Sequence, residues 1–223
     1  MVTAKAVKDY SQTGKEIAAE NGLILEESGV VLVNLIGEPG VGKTTIVEKI
    51  LPLLSGKLSI AVIEGDADQI RCDTSLEDFG GESVFIESGR TLNPDAYMIN
   101  KALRQLPLEN LDLVIVETVL DPACPEEPEL GANLNIVVSS VSGTTNYPDR
   151  YPKILENASV ALINKTDLLP HGQFSLGAFI EQLVSINETL KIFPISALKG
   201  EGLEELSISL GRMVWKKRRN LAA

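Results

Sequence analysis

The stretch that most limits what this chain can fold into is Val30 to Thr45, VVLVNLIGEPGVGKTT. The apolar run Val30 to Ile36 reads as a buried strand, and it feeds Gly37-Glu38-Pro39-Gly40-Val41-Gly42-Lys43-Thr44, a complete G-x-x-x-x-G-K-[ST] phosphate loop. Glycines at 37, 40 and 42 let successive backbone N–H groups converge on phosphate oxygens without a Cβ in the way. Lys43 sets a positive charge against the β- and γ-phosphates, Thr44 offers a hydroxyl ligand for Mg²⁺, and Thr45 reaches the α-phosphate. The residues that follow, KTTIVEKILPLL, predict a helix whose positive dipole end faces the anion.

The rest of the chain supplies the sheet that such a loop needs. Strands are expected at Leu58–Ile63, Ser83–Glu87, Leu111–Val116, Leu134–Ser139, Ser159–Ile163 and Leu190–Ile195, and helices near Pro94 with Asn93 as cap, at Phe174–Ile186 and at Leu203–Trp215. Alternation of continuously apolar strands with helices predicts an α/β, three-layer phosphate-loop NTPase, its mostly parallel sheet covered on both faces. With no repeat and no linker, residues 1–223 read as a single domain, and 1–29 as a surface helix and turn ahead of the first core strand. That helix is expected to stop at Asn21-Gly22. A net charge of −11 argues against nucleic acid as the main partner. No apolar run approaches the ~20 residues of a membrane span, and no signal-like stretch opens the chain, so a cytoplasmic location is expected.

Acidic residues at strand ends are the candidates for metal and water. Asp66 follows the second strand, with Glu64 as the alternative, and Glu117 closes the Leu111–Val116 strand, where doubly wound sheets keep their ligands. The acidic, Gly-containing segment after Asp66 has the composition of a nucleotide-sensing surface segment. Asn164-Lys165-Thr166-Asp167 matches N-K-x-D and selects the base. Asp167 can accept both N1–H and N2–H of guanine, Asn164 reaches N7, and the stem of Lys165 lies over the ring. Ser196, Ala197 and Leu198 complete the pocket, with an N–H of Ser196-Ala197 for O6. GTP is therefore expected over ATP.

The phosphate loop followed by EGD, the segment ESGRTLNPDAYM, VETVLDPACP, Tyr151-Pro152 and VALINKTDLLP together resemble the HypB family of GTPases, with the urease-accessory UreG family a near relative. The resemblance spans about residue 15 to the end. It implies Mg-dependent GTP hydrolysis that assists nickel insertion into [NiFe]-hydrogenase, a GTP-promoted homodimer, and a metallochaperone and a hydrogenase large-subunit precursor as partners. It gives Lys43, Thr44 and Thr45 the phosphate roles, Asp66 and Glu117 the magnesium and water roles, and Asn164, Lys165, Asp167 and Ala197 the guanine roles.

The chain departs from that pattern at the transition metal. Where the family carries Gly-Cys-His, this sequence has Thr91-Leu92-Asn93, which leaves Cys124 as the family's remaining nickel or zinc ligand. Two soft ligands across a dimer fall short of the four of a closed site. Leu120 stands where the family has glycine, and a side chain there could slow the response to the γ-phosphate. No arginine finger is evident, Arg71 and Arg90 being weak candidates. Cys72 reads as an incidental thiol, His171 as a loop residue, Lys216–Arg219 as a helix terminus, and Met98 and Trp215 as core or interface filler. A GTP-gated dimeric switch that recruits a metallochaperone without binding metal, or a urease-type accessory GTPase, are the alternatives.

Overall fold

A computed structural model describes residues 4–64, 82–85, 94–120, 129–143 and 146–221. Its described strands form one sheet, all neighbours parallel: β1 Val31–Gly37, β2 Ile60–Glu64, β3 Glu82–Phe85, β4 Leu113–Val119, β5 Leu134–Ser140, β6 Val160–Asn164 and β7 Lys191–Pro194, in spatial order β3-β2-β4-β1-β5-β6-β7. The chain passes from β1 to β2 on one side of β1, and later from β4 across β1 to β5 on the other, so the strand order reverses at β1. The crevice at its carboxyl end is where such sheets bind ligands.

The helices are α1 Ala4–Ser28, α2 Lys43–Leu54, α3 Ala96–Leu103, α4 Tyr147–Arg150, α5 Pro152–Asn157, α6 Leu176–Ile186 and α7 Leu203–Leu221. β1 is buried on both faces, and its alternation assigns the layers. Val31, Val33 and Leu35 pack with Ile46, Ile50 and Leu54 of α2 and Leu206, Leu210 and Val214 of α7. On the other face Leu32 meets Leu25 of α1 and Ile99 and Leu103 of α3, while Ile36 joins Tyr147, Tyr151, Phe179 and Leu183 from α4 to α6. Burial on this scale stabilises by roughly 25 cal/mol per Å² of apolar surface removed from water.

The structure moves several boundaries. α1 does not stop at Asn21-Gly22 but runs through them to Ser28. Asn21 is fully buried there, donating to the carbonyls of Ala96 at 2.9 Å and Leu130 at 3.0 Å and accepting from Asn100 at 2.9 Å. Three tertiary hydrogen bonds outweigh a local turn preference. The helix ends instead at Gly29, whose φ of 67° allows the N–H of Val30 to reach Leu25 O at 3.1 Å, a Schellman stop. The β4 strand continues past Val116, so Glu117 lies inside it, opposite Leu35, rather than closing it. α3 is capped by Asp95, whose side chain accepts from the Met98 N–H, and not by Asn93, which lies outside the described residues. α7 extends beyond Trp215 to Leu221, and Trp215 is half-exposed beside Arg218 rather than filling the core.

Candidate functional site

The strand β1 delivers the phosphate loop at a point where the backbone has no room for side chains. A Cβ on Gly37 would lie 2.6 Å from Val138 O of the neighbouring strand, so only glycine lets β1 and β5 close at this end. Gly42 holds φ at 95° and leads into α2, and a Cβ there would meet Asn164 Nδ2 at 2.6 Å. The loop is thereby shaped against the Asn164–Asp167 segment across the crevice.

Lys43 is 7% exposed and its Nζ donates to Gly37 O at 2.8 Å and Glu38 O at 3.2 Å. Burial lowers its pKa, opposed by the charge of Glu117. A desolvated ammonium that donates to backbone carbonyls gains much from an incoming anion. The next residue, Thr44, donates from Oγ1 to Glu117 Oε2 at 3.0 Å, which sets a hydroxyl and a carboxylate side by side at the helix N-terminus. Hard oxygen ligands of this kind suit Mg²⁺, and the glycine-shaped cradle above them suits a polyphosphate.

The residues expected to meet the base come from β6 and the segment after β7. Asn164 is buried at the end of β6, its Nδ2 donating to Val41 O at 2.8 Å and its Oδ1 accepting from the Ala197 N–H at 3.0 Å. Lys165 takes φ of 63°, which turns the chain so that its Nζ reaches back to Gly40 O at 2.7 Å. Asp167 Oδ1 accepts from Ser196 Oγ at 2.5 Å, which orients the carboxylate. Leu198 stands 73% exposed beside this group. The O6 donor expected at Ser196-Ala197 is already engaged at both N–H groups, Ser196 on Glu201 O at 3.0 Å and Ala197 on Asn164. Either bond must open or be shared for that contact to form.

The structure therefore brings together Gly37 to Thr45, Glu117, Asn164, Lys165, Asp167, Ser196, Ala197 and Leu198. Asp66, Cys124, Cys72, Arg71, Arg90, Leu92 and Asn93 lie outside the described residues, as does the side chain of Glu64. Among the described residues no group of three His, Cys, Asp or Glu side chains is placed to hold a metal ion, and His171 is exposed. No helix among them is long and apolar enough to cross a membrane. Leu120, which stands where the family has glycine, is buried in the cluster with Ile36 and Tyr151, and its N–H donates to Gly37 O at 3.0 Å. Sequence reasoning missed Arg150 and gave Tyr151 only as part of a family motif; both are bonded to the Glu38 carboxylate. Helices as short as α4 and α5 show no periodicity; Pro148 and Pro152 in their first turns were the available signal.

Fold and site define a phosphate-loop NTPase of the GTPase type, with a guanine-type N-K-x-D segment beside the loop. A family model described as the CobW/HypB/UreG nucleotide-binding domain matches residues 30–194. The chain belongs to this family. It is 33% identical over 197 residues to the hydrogenase maturation factor HypB of Rhizobium leguminosarum bv. viciae, covering 88% of this chain and 66% of the relative, so it spans just under two-thirds of that relative's length. It is 30% identical over 203 residues to a probable hydrogenase maturation factor HypB of Methanocaldococcus jannaschii, covering 89% of this chain and 90% of the relative. The crystal structure of HypB from Helicobacter pylori in complex with nickel superposes with a TM-score of 0.82 at 28% identity, covering 94% of this chain and 97% of that one.

Proposed function

We propose that this chain, read as one domain over residues 1–223, binds and hydrolyses GTP with Mg²⁺ and couples the cycle to nickel insertion into a [NiFe]-hydrogenase precursor. The observation that carries the nucleotide reading is the pair of bonds from Asn164 and Lys165 to Val41 O and Gly40 O, which fix a guanine-type segment against a phosphate loop. Lys43 neutralises the phosphates, Thr44 and Glu117, with Asp66, would hold the magnesium, and Asp66 or Glu117 orients the attacking water. The magnesium would add positive charge where phosphate charge develops. Asp167 accepts from the guanine edge, and adenine, lacking those donors, is rejected.

The nickel step is supported by family membership and by likeness to a HypB crystallised with nickel. In this reading nickel is cargo passed between a metallochaperone and the hydrogenase large subunit by a cytoplasmic, GTP-promoted homodimer, with Cys124 as the chain's own ligand. A second reading is favoured by Leu92 and Asn93 standing where the family pattern has Cys-His: the GTP-gated dimer recruits the metallochaperone and binds no nickel or zinc itself. Equilibrium dialysis with Ni²⁺ and Zn²⁺, with and without a non-hydrolysable GTP analogue and alongside sizing, separates the two. Metal that appears with the GTP-bound dimer and is lost in Cys124→Ser supports nickel handling by this chain. GTP-driven dimers without metal contradict it and leave the switch.

A further inference from the structure

The phosphate loop of this chain carries a carboxylate, and the fold closes around it. Arg150 Nη1 donates to Glu38 Oε1 at 2.9 Å, and the Tyr151 hydroxyl donates to the same oxygen at 3.0 Å. The Glu38 side chain is only 16% exposed and that of Arg150 34%. Tyr147, buried behind them, packs against Tyr151 with the rings tilted by 54° and their centroids 4.9 Å apart. The backbone of Glu38 faces the other way, its carbonyl accepting from Lys43 Nζ at 3.2 Å. One residue thus links the phosphate-facing ammonium to an arginine on the α4–α5 corner.

A carboxylate in an anion-binding loop opposes its ligand, and screening is weak for a largely buried charge. The repulsion grows with ligand charge, so it weighs more on a triphosphate than on a diphosphate. We propose that Arg150 is a positioning residue that neutralises Glu38 and thereby sets how strongly the loop takes a nucleoside triphosphate relative to a diphosphate. The proposal rests on the nucleotide site described above. Tyr151 fixes the carboxylate on the corner as the second donor to the same oxygen. Anything that draws the α4–α5 corner away from the phosphate loop exposes the Glu38 charge and lowers the triphosphate preference.

The test measures affinities of a fluorescent non-hydrolysable GTP analogue and of fluorescent GDP for the full chain, with variants Arg150→Ala, Arg150→Lys, Glu38→Gln and the Glu38→Gln/Arg150→Ala pair, at low and high salt. Arg150→Ala is expected to weaken the GTP analogue about tenfold and GDP less than about threefold, less so at high salt. Arg150→Lys keeps most of the affinity, and adding Glu38→Gln to Arg150→Ala restores it. Should Arg150→Ala fail to fold, Glu38→Gln alone carries the test, with an expected rise of several-fold in preference for the triphosphate. An unchanged preference in Glu38→Gln, or equal losses for both nucleotides in Arg150→Ala without rescue, overturns the proposal while the nucleotide site stands. A wild-type chain that binds neither nucleotide overturns both.

Discussion

Asn164→Ala tests the bond pattern that unites the two halves of the site. Asn164 is 2% exposed, and its side chain satisfies Val41 O at 2.8 Å and the Ala197 N–H at 3.0 Å, both on residues that are themselves buried. Truncation leaves one acceptor and one donor unpaired in the interior. At about 1–3 kcal/mol for each stranded group, the nucleotide-free protein loses roughly 2–6 kcal/mol, with the lower end applying if water enters from the crevice. In a domain of this size each kcal/mol moves Tm by about 2–4 °C, so a fall of roughly 5–20 °C is expected. The assay is calorimetry without nucleotide, which separates a structural loss from a lost contact to a base. Asn164→Asp keeps the acceptor for Ala197 but sets a second oxygen against Val41 O, and it should be no more stable than the alanine variant at neutral pH. An Asn164→Ala protein melting within about 2 °C of wild type would refute the reasoning.

Three further perturbations read other parts of the fold. Gly131 holds φ at 80°, and a Cβ there would lie 2.2 Å from Ala18 O of α1, so Gly131→Ala should cost about 3 kcal/mol or more and loosen α1, seen as faster amide exchange along that helix. Tyr147 buries a hydroxyl with no hydrogen-bond partner among the described residues, and burial, then the Glu38 charge, pushes its pKa well up; Tyr147→Phe should raise stability by about 1 kcal/mol in urea unfolding. Burial holds the pKa of Lys43 below its usual 10.5 against the opposing charge of Glu117, so below that value the unfolded chain binds more protons than the folded one. Stability of the nucleotide-free protein therefore gains an increment as pH rises toward 10.5, one that Lys43→Met removes in urea titrations at stepped alkaline pH.

Local spacing made the phosphate loop, α2 and the Asn164–Asp167 segment legible, because each depends on neighbours in the chain. Where long-range bonds decide, the sequence misleads: Asn21-Gly22 has the composition of a helix stop, yet Ala96, Leu130 and Asn100, all more than 70 residues away, hold Asn21 inside α1. Glu117 is recognisable in the sequence as an acid near the end of a core strand, but only pairing with β1 shows that it sits within β4 opposite Leu35. The engagement of Ala197 by Asn164 and of Glu38 by Arg150 joins segments 33 and 112 residues apart, and no motif spacing encodes either.

The central claim is that this crevice binds a guanine nucleotide through Lys43 and Asp167. Titration calorimetry of the nucleotide-free protein with GTP, GDP and ATP in Mg²⁺, repeated with Lys43→Ala and Asp167→Ala, tests it most directly. The account predicts one GTP or GDP per chain, ATP weaker by at least about a hundredfold, loss of all binding in Lys43→Ala, and loss of the preference for guanine in Asp167→Ala. Equal affinities for ATP and GTP in the wild type, or GTP binding that survives Lys43→Ala unchanged, would contradict it.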